Sequence, residues 1–410
     1  MAVGIIAEYN PFHAGHAYQI SEVRKIFPGA EIVAVMSGSF TQRGEPAILD
    51  KMTRARLAVE GGCDLVLELP FVSVVRSAQD FARGGVRLLH RLGVVDSLAF
   101  GAEFPDVEKI KSAAKILDEK IFSAKIKSEM SGGISYAAAV TKILSRSLNV
   151  EEKFLRQPNT ILAIEYLRAL PEVMQPILIQ RVGAGHLNLN LSEKFSGAAA
   201  IREEVYKPLP DWKKISASVG EKVLDELMRE KNSGPVREEF LFRPILAKLF
   251  TTTPDDLRKI YGMREGLEFR LIKSAKSAKT FDEFISGIVG RRYHEGRVKR
   301  LLLRFLLDLT EEKISEINSA DYVRVLAFNE RGKNLLKKIR DNSDLPIVTK
   351  VTQHLTGRDF ERKNFSDAYK KNLALDCVAS NLRGILFDVP KKPGQDFLNS
   401  PCFIKGVAGR

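Results

Sequence analysis

The stretch Gly4–His16, GIIAEYNPFHAGH, decides the reading of the whole chain. Val3–Ala7 is a short apolar run of the kind a buried strand needs. It passes into a turn shaped by Asn10 and Pro11, and then into a helix spanning about residues 15–25. His13, Ala14, Gly15 and His16 stand where the helix begins. A helix start offers unpaired N–H groups and the positive end of its dipole to phosphate, and glycine lets a ligand come close. Two imidazoles three residues apart can donate to a phosphoryl oxygen as its charge develops. Two histidines in a polar loop also fit a plain turn or a metal pair. Their place directly after a strand favours the nucleotide.

Working outward, Glu31–Met36, Asp64–Leu67 and Ser97–Phe100 read as further strands, separated by helical stretches at 51–60 and 79–92. Continuous apolar strands alternating with helices predict βαβ units and an α/β, Rossmann-like doubly wound domain. Such a domain binds ligands at the carboxyl ends of its strands. Residues 106–170 read as mostly helical, Gln175–Val182 as one more strand, and Ser196–Val205 as a helix start. The prolines of Lys207–Pro210 suggest a boundary, giving units 1–208 and 209–410. The second unit reads as mainly helical, with helices at Glu221–Arg229, Pro235–Leu249, Leu267–Ala278, Arg297–Leu309 and Ser366–Leu382.

At 410 residues, with 44% hydrophobic and 28% charged residues, the chain suits two or three globular domains and excludes wholesale disorder. It has no apolar run of about 18 residues, and its first ten residues lack a basic signal-peptide start. No membrane association is therefore expected. Cys63, Cys377 and Cys402 are scattered, which fits a reducing cytoplasm rather than a disulfide framework or a zinc site. The net charge is +13, of which residues 211–410 carry +11. A near-neutral half joined to a basic half points to chemistry on one side and a polyanion on the other, with nucleic acid the default.

Several further motifs carry a family resemblance. They are Met36–Ala47 (MSGSFTQRGEPA), Gly62–Pro70 (GCDLVLELP), Phe100–Glu103, Pro158–Leu162, Arg181, Arg291-Arg292-Tyr293 and Asn329–Lys333. With the HxGH at 13–16, in this order, they resemble the tRNA(Met) cytidine acetate ligases of the HIGH-type nucleotidyltransferase superfamily. The resemblance implies activation of acetate by ATP to acetyl-adenylate and pyrophosphate. Acetyl transfer to N4 of the wobble cytidine of elongator tRNA(Met) follows, without acetyl-CoA. It implies Mg2+ carried by the ATP phosphates and no metal held by the protein. Its ATP-contacting positions fall on Ile6, Ala7, Glu8, Tyr9, Asn10, Pro11, Phe12, His13, Ala14, Gly15, His16, Ala17, Tyr18 and Gln19. Gly101, Asn159, Arg181 and Val182 complete the set, with His13 and His16 catalytic.

Plainer readings stand beside these. Gly101 can simply end a strand, Asn159 can cap the helix that follows it, and Arg181 can be a surface ion pair. Ser37 and Arg43 follow the second strand and, with Arg202, are expected at the acetate or pyrophosphate. Asp64 and Glu68 read as structural. The superfamily's second motif, a Ser-x-Thr-x-x-Arg-like run, is altered: Gly197 and Ala199 stand at the Ser and Thr positions and Arg202 is kept. Residues 270–304 hold ten Lys/Arg and residues 331–340 five. Arg291, Arg292, Arg297, Arg300, Lys333 and Lys337 are expected to meet tRNA phosphates, with Tyr293 and His294 available for stacking. A small-molecule nucleotidyltransferase, or a non-catalytic RNA-binding protein with a relict ATP pocket, remain as other readings.

Overall fold

The computed structural model describes residues 1–104, 106–130, 134, 136–181, 196–290, 292–317 and 321–406. Strands β1 (Ala2–Ala7), β2 (Glu31–Ser37), β3 (Leu65–Leu69), β4 (Ser97–Ala102) and β5 (Gln175–Gln180) run parallel in the order β5-β4-β1-β2-β3. That is the doubly wound arrangement, and its strand order reverses between β1 and β4. The strands are buried on both faces, and alternation sorts their side chains. Val33 and Val35 pack towards the helices Ala78–Arg91 and Pro158–Ala169, while Ile32, Ala34 and Met36 pack towards α1 (Ala14–Ile26) and α2 (Lys51–Glu60). Helix starts are secured locally. Asp50 accepts from the amides of Met52 and Thr53 at the head of α2, and Ser77 and Asp80 form a capping box.

The sheet crosses the boundary expected at residue 208. Strand β6 (Val323–Phe328) pairs antiparallel with β3, and β7 (Ile347–Val348) and β8 (Cys402–Phe403) pair parallel with β6. The second half is still mainly helical, but its strands finish the sheet of the first. Its helical core, including Leu271, Phe284, Leu302 and Phe305, also takes in Phe40, Phe71 and Val75 from the first half. Among the described residues no helix is long and apolar enough to cross a membrane.

Candidate active site

The 13–16 motif stands at the carboxyl end of β1, beside the point where strand order reverses. His13 is the N-cap of α1. Its Nδ1 accepts from the Gly15 amide at 3.0 Å, and His16 Nδ1 accepts from the His13 amide at 3.2 Å. An imidazole nitrogen that accepts carries no proton, so each neutral ring holds its proton on Nε2. The two rings stack with centroids 3.8 Å apart. They therefore present a pair of Nε2–H donors at one helix start. Burial, followed by the charges of His13 and Arg181, pulls the His16 pKa well below the usual histidine value. The motif also explains its glycine: a Cβ on Gly15 would lie 2.9 Å from Cε1 of His13.

Not every residue of the 6–19 stretch is open to a ligand. Tyr9, Asn10, Pro11, Phe12 and His13 are buried, while Ile6, Ala7, Glu8, Ala14, Gly15, His16, Ala17, Tyr18 and Gln19 are half-buried. The rings of Tyr9 and Phe12 lie 4.8 and 5.5 Å from that of His16, so they hold the histidine in place. Asn10 Oδ1 accepts from the Ile48 amide at 2.8 Å, and Gln19 donates to the Ala99 carbonyl at 3.3 Å, which fixes α1 to β4.

Across the reversal point, Gly101 lies against Arg181: an added Cβ would stand 3.2 Å from the arginine Cγ. Arg181 follows β5 and its amide donates to the Ala102 carbonyl. Asn159 is not the helix cap. Gln157 holds that position without a side-chain bond, and Glu103 closes the helix start instead. Glu103 accepts from Asn159 Nδ2 at 2.6 Å, from the Thr160 amide at 2.9 Å and from the Thr160 hydroxyl at 3.2 Å. Val182 lies outside the described residues.

The loop after β2 is held by a residue that sequence reasoning missed. Arg54 on α2 is fully buried and donates to the carbonyls of Glu8, Ser37, Gly38 and Leu49. Burial lowers its pKa to about 10, so it stays a cation at neutral pH. One guanidinium thus binds the end of β1 to the end of β2. The available signal was an arginine within a helix otherwise buried by Met52, Ala55, Leu57 and Ala58. Ser37 is wholly buried, and among the described residues its Oγ has no hydrogen-bond partner. Arg43 is half-buried. Arg202 does reach the turn that leads into the 13–16 motif, donating to the Asn10 carbonyl at 2.8 Å and to Glu45 at 3.0 Å. Gly197 caps its helix without a side-chain bond, so the altered motif leaves the first amides of Ala198–Tyr206 uncovered by a hydroxyl from that position. Burial holds the Glu8 carboxyl above its usual range, opposed by the Gln42 amide, which donates to it at 2.5 Å, and by Arg202.

The basic residues divide. Arg292 is exposed, and Arg297 lies 4.7 Å over the Tyr293 ring and donates to the Arg292 carbonyl. Tyr293 is buried and donates to Glu265 at 2.6 Å, so its ring is not open for a base, whereas His294 is exposed. Arg300 is buried and donates to the Gln42 carbonyl at 2.6 Å, which makes it a clasp on the site loop rather than a surface cation. Its helix runs so close to Gly44 that an added Cβ would lie 2.7 Å from the Arg300 nitrogen. Lys333 and Lys337 are exposed, but on a helix across the amino ends of the strands. There Arg331 donates to the Gly29 and Ala30 carbonyls and Lys338 pairs with Glu31 at 2.9 Å. The second basic patch is therefore at the end of the sheet opposite the histidines. Arg291 lies outside the described residues. Among the described residues no three His, Cys, Asp or Glu side chains converge as metal ligands.

The chain resembles known proteins along nearly its whole length. Residues 1–396 match the HIGH Nucleotidyl Transferase family. The tRNA(Met) cytidine acetate ligase of Halothermothrix orenii is 36% identical over 95% of this chain and 96% of its own length. That of Syntrophomonas wolfei is 37% identical over 97% and 98%. The apo crystal structure of Thermotoga maritima TmcAL superposes with a TM-score of 0.88 at 30% identity, covering 99% of this chain and all of that one. A second form of that protein, bound with alpha-thio ATP, gives 0.86 over the same spans. Likeness over essentially the full length, in fold as in sequence, leaves one assignment: the chain belongs to the tRNA(Met) cytidine acetate ligase family.

Proposed function

We propose that the enzyme binds ATP over β1 and β4, activates acetate as acetyl-adenylate and passes the acetyl group to N4 of the wobble cytidine of elongator tRNA(Met). The observation that carries this reading is the pair of Nε2–H donors on His13 and His16 at the start of α1. An acetate oxygen attacks the α-phosphorus and the bond to the β-phosphate oxygen breaks. Negative charge grows on the α-phosphoryl oxygens, where preorganised donors stabilise it most. A neutral His16 supports this role, since it donates through Nε2 without first gaining a proton. Pyrophosphate leaves towards the open amides of the Ala198–Tyr206 helix and Arg202. Mg2+ arrives with the ATP phosphates as part of the substrate, and acetyl-CoA takes no part.

Gly101 and Arg181 flank the nucleotide in this reading, and Asn159 is held beside it by Glu103. Ser37 is too buried to touch acetate, which leaves Arg43 and Arg202 for the anionic groups. The tRNA backbone meets Arg292 and Arg297 near the site, while Lys333 and Lys337 serve only a tRNA that reaches the far edge of the sheet. ATP–pyrophosphate exchange tests the first half-reaction. Exchange that needs acetate and proceeds without tRNA supports it; no acetate-dependent exchange would overturn it and favour the relict pocket.

A further inference from the structure

A cavity of about 650 Å3 lies between the loop after β2 and the second half of the chain. Its walls come from the 45–46 turn, the Ala198–Tyr206 helix, residues 231–239 and Asp388. Arg202, which donates to the Asn10 carbonyl of the site loop, lines it, as does its ion-pair partner Glu45. Arg202 thus ties the cavity wall to the loop that leads into the histidines, and the cavity is large enough for a nucleoside.

Two of its lining groups suit a base. Tyr206 is 40% exposed and offers an aromatic ring. Glu238 holds Lys299 at 2.8 Å through Oε2, while its Oε1 is buried and, among the described residues, has no hydrogen-bond partner. An orphaned carboxylate oxygen is costly unless a donor arrives to satisfy it. The exocyclic amino group of cytosine is such a donor, and Glu or Asp is its usual partner. Uracil presents an acceptor at the same position.

We propose that this cavity receives the wobble cytosine, with Glu238 Oε1 taking a proton from N4 and Tyr206 stacking on the base. The inference rests on the function proposed above. In the transfer step the N4 lone pair attacks the acetyl carbonyl carbon and a C–N bond forms. The bond from that carbon to the AMP oxygen breaks, and AMP leaves with the electron pair. N4 gives up one proton to Glu238, which releases it to solvent at the cavity mouth.

The charges around Glu238 suit this work. Burial pushes its carboxyl up to about 7, Lys299 opposes the shift, and Glu45 and Glu295 add to it. Arg202 and Glu203 face the cavity from their helix, Arg237 and Glu239 from its own segment, and Asp388 from the far wall. The accepting form is deprotonated, so acetyl transfer rises with pH through about 7.

The test separates the half-reactions. Acetate-dependent pyrophosphate exchange and single-turnover acetyl transfer to tRNA(Met) are measured on wild type, Glu238→Gln and Asn232→Trp, the last filling the cavity from its rim. Thermal melts accompany both variants. The expected result is exchange near the wild-type rate in both, transfer slowed about a hundredfold in Glu238→Gln with its acidic limb gone, and transfer blocked in Asn232→Trp. Wild-type transfer in the folded variants would overturn the cavity assignment while leaving the adenylation reading intact. Equal losses of exchange and transfer would put Glu238 in adenylation and overturn it too. Absence of exchange in the wild type would sink the proposed function and this inference together.

Discussion

His13 and His16 each carry two duties, since Nδ1 accepts from the helix's own backbone and Nε2 carries the proton of the neutral ring. Removing either donor by His13→Ala or His16→Ala should slow acetate-dependent exchange about a hundredfold or more. Loss of the His13 cap should also cost about 1 kcal/mol in a denaturant melt. Exchange at the wild-type rate in the double variant would remove the histidines from the chemistry. His16 has a folded pKa depressed below its unfolded value. Its contribution to stability is therefore complete above the unfolded value and is lost as pH falls through it and below. His16→Ala should remove that part of the acid sensitivity, read as Tm against pH. At Asn159 the cap is Glu103, so Glu103→Ala should lower stability by about 1 kcal/mol. If Asn159→Ala instead lowered Tm by as much with unchanged ATP affinity, its role would be purely structural. The motif at 13–16 was legible because it consists of near neighbours in sequence. The Glu103 cap was not, because residues 56 positions apart meet only once β4 and the 158–169 helix are packed.

Elements decide which cations are free. The helix Glu295–Leu306 turns Arg300 inward to Gln42, and a count of basic residues cannot show that. Arg292→Glu should weaken tRNA binding and flatten its salt dependence by about one counterion, with exchange unchanged. Arg300→Glu should slow exchange as well, because it buries a carboxylate against the acceptor oxygen of Gln42, which loses its donor, and opens the loop after β2. Equal effects of the two reversals would contradict this division, and filter binding over a salt series beside the exchange assay decides it. Arg54 belongs to the same scale: Arg54→Met should raise the KM for ATP and lower stability together, since four carbonyls lose their donor. The strands and helices near the histidines were legible from apolar runs and their spacing. Arg54 was hidden because its partners are main-chain oxygens, and those leave no mark on sequence.

The whole molecule is one sheet with contributions from both ends of the chain. Lys51 on α2 holds Glu68 of β3 at 2.8 Å and Asp396 at 2.8 Å, with Arg324 of β6 beside Asp396 at 3.6 Å, all buried. Asp64 likewise accepts from Asn329 at 3.0 Å. A fragment ending at residue 208 would keep Lys51 on Glu68 but strip Lys51 of Asp396 and Asp64 of Asn329, and it would leave the β3 edge bare. Such a fragment should fail to give a cooperative melt; a stable, exchange-competent 1–208 would restore the two-unit picture. Lys207–Pro210 looked like a boundary because two prolines end a helix, yet β6 returns to the sheet more than a hundred residues later. The short strand VRVLAF carries an arginine whose buried partner, Asp396, is distant in sequence, which masked it among helices. The most direct test of the account is the product itself. Incubated with labelled acetate, ATP and a tRNA(Met) transcript, the enzyme should place label in N4-acetylcytidine at the wobble position, with no requirement for acetyl-CoA. Unlabelled tRNA, or label that appears only from acetyl-CoA, would contradict it.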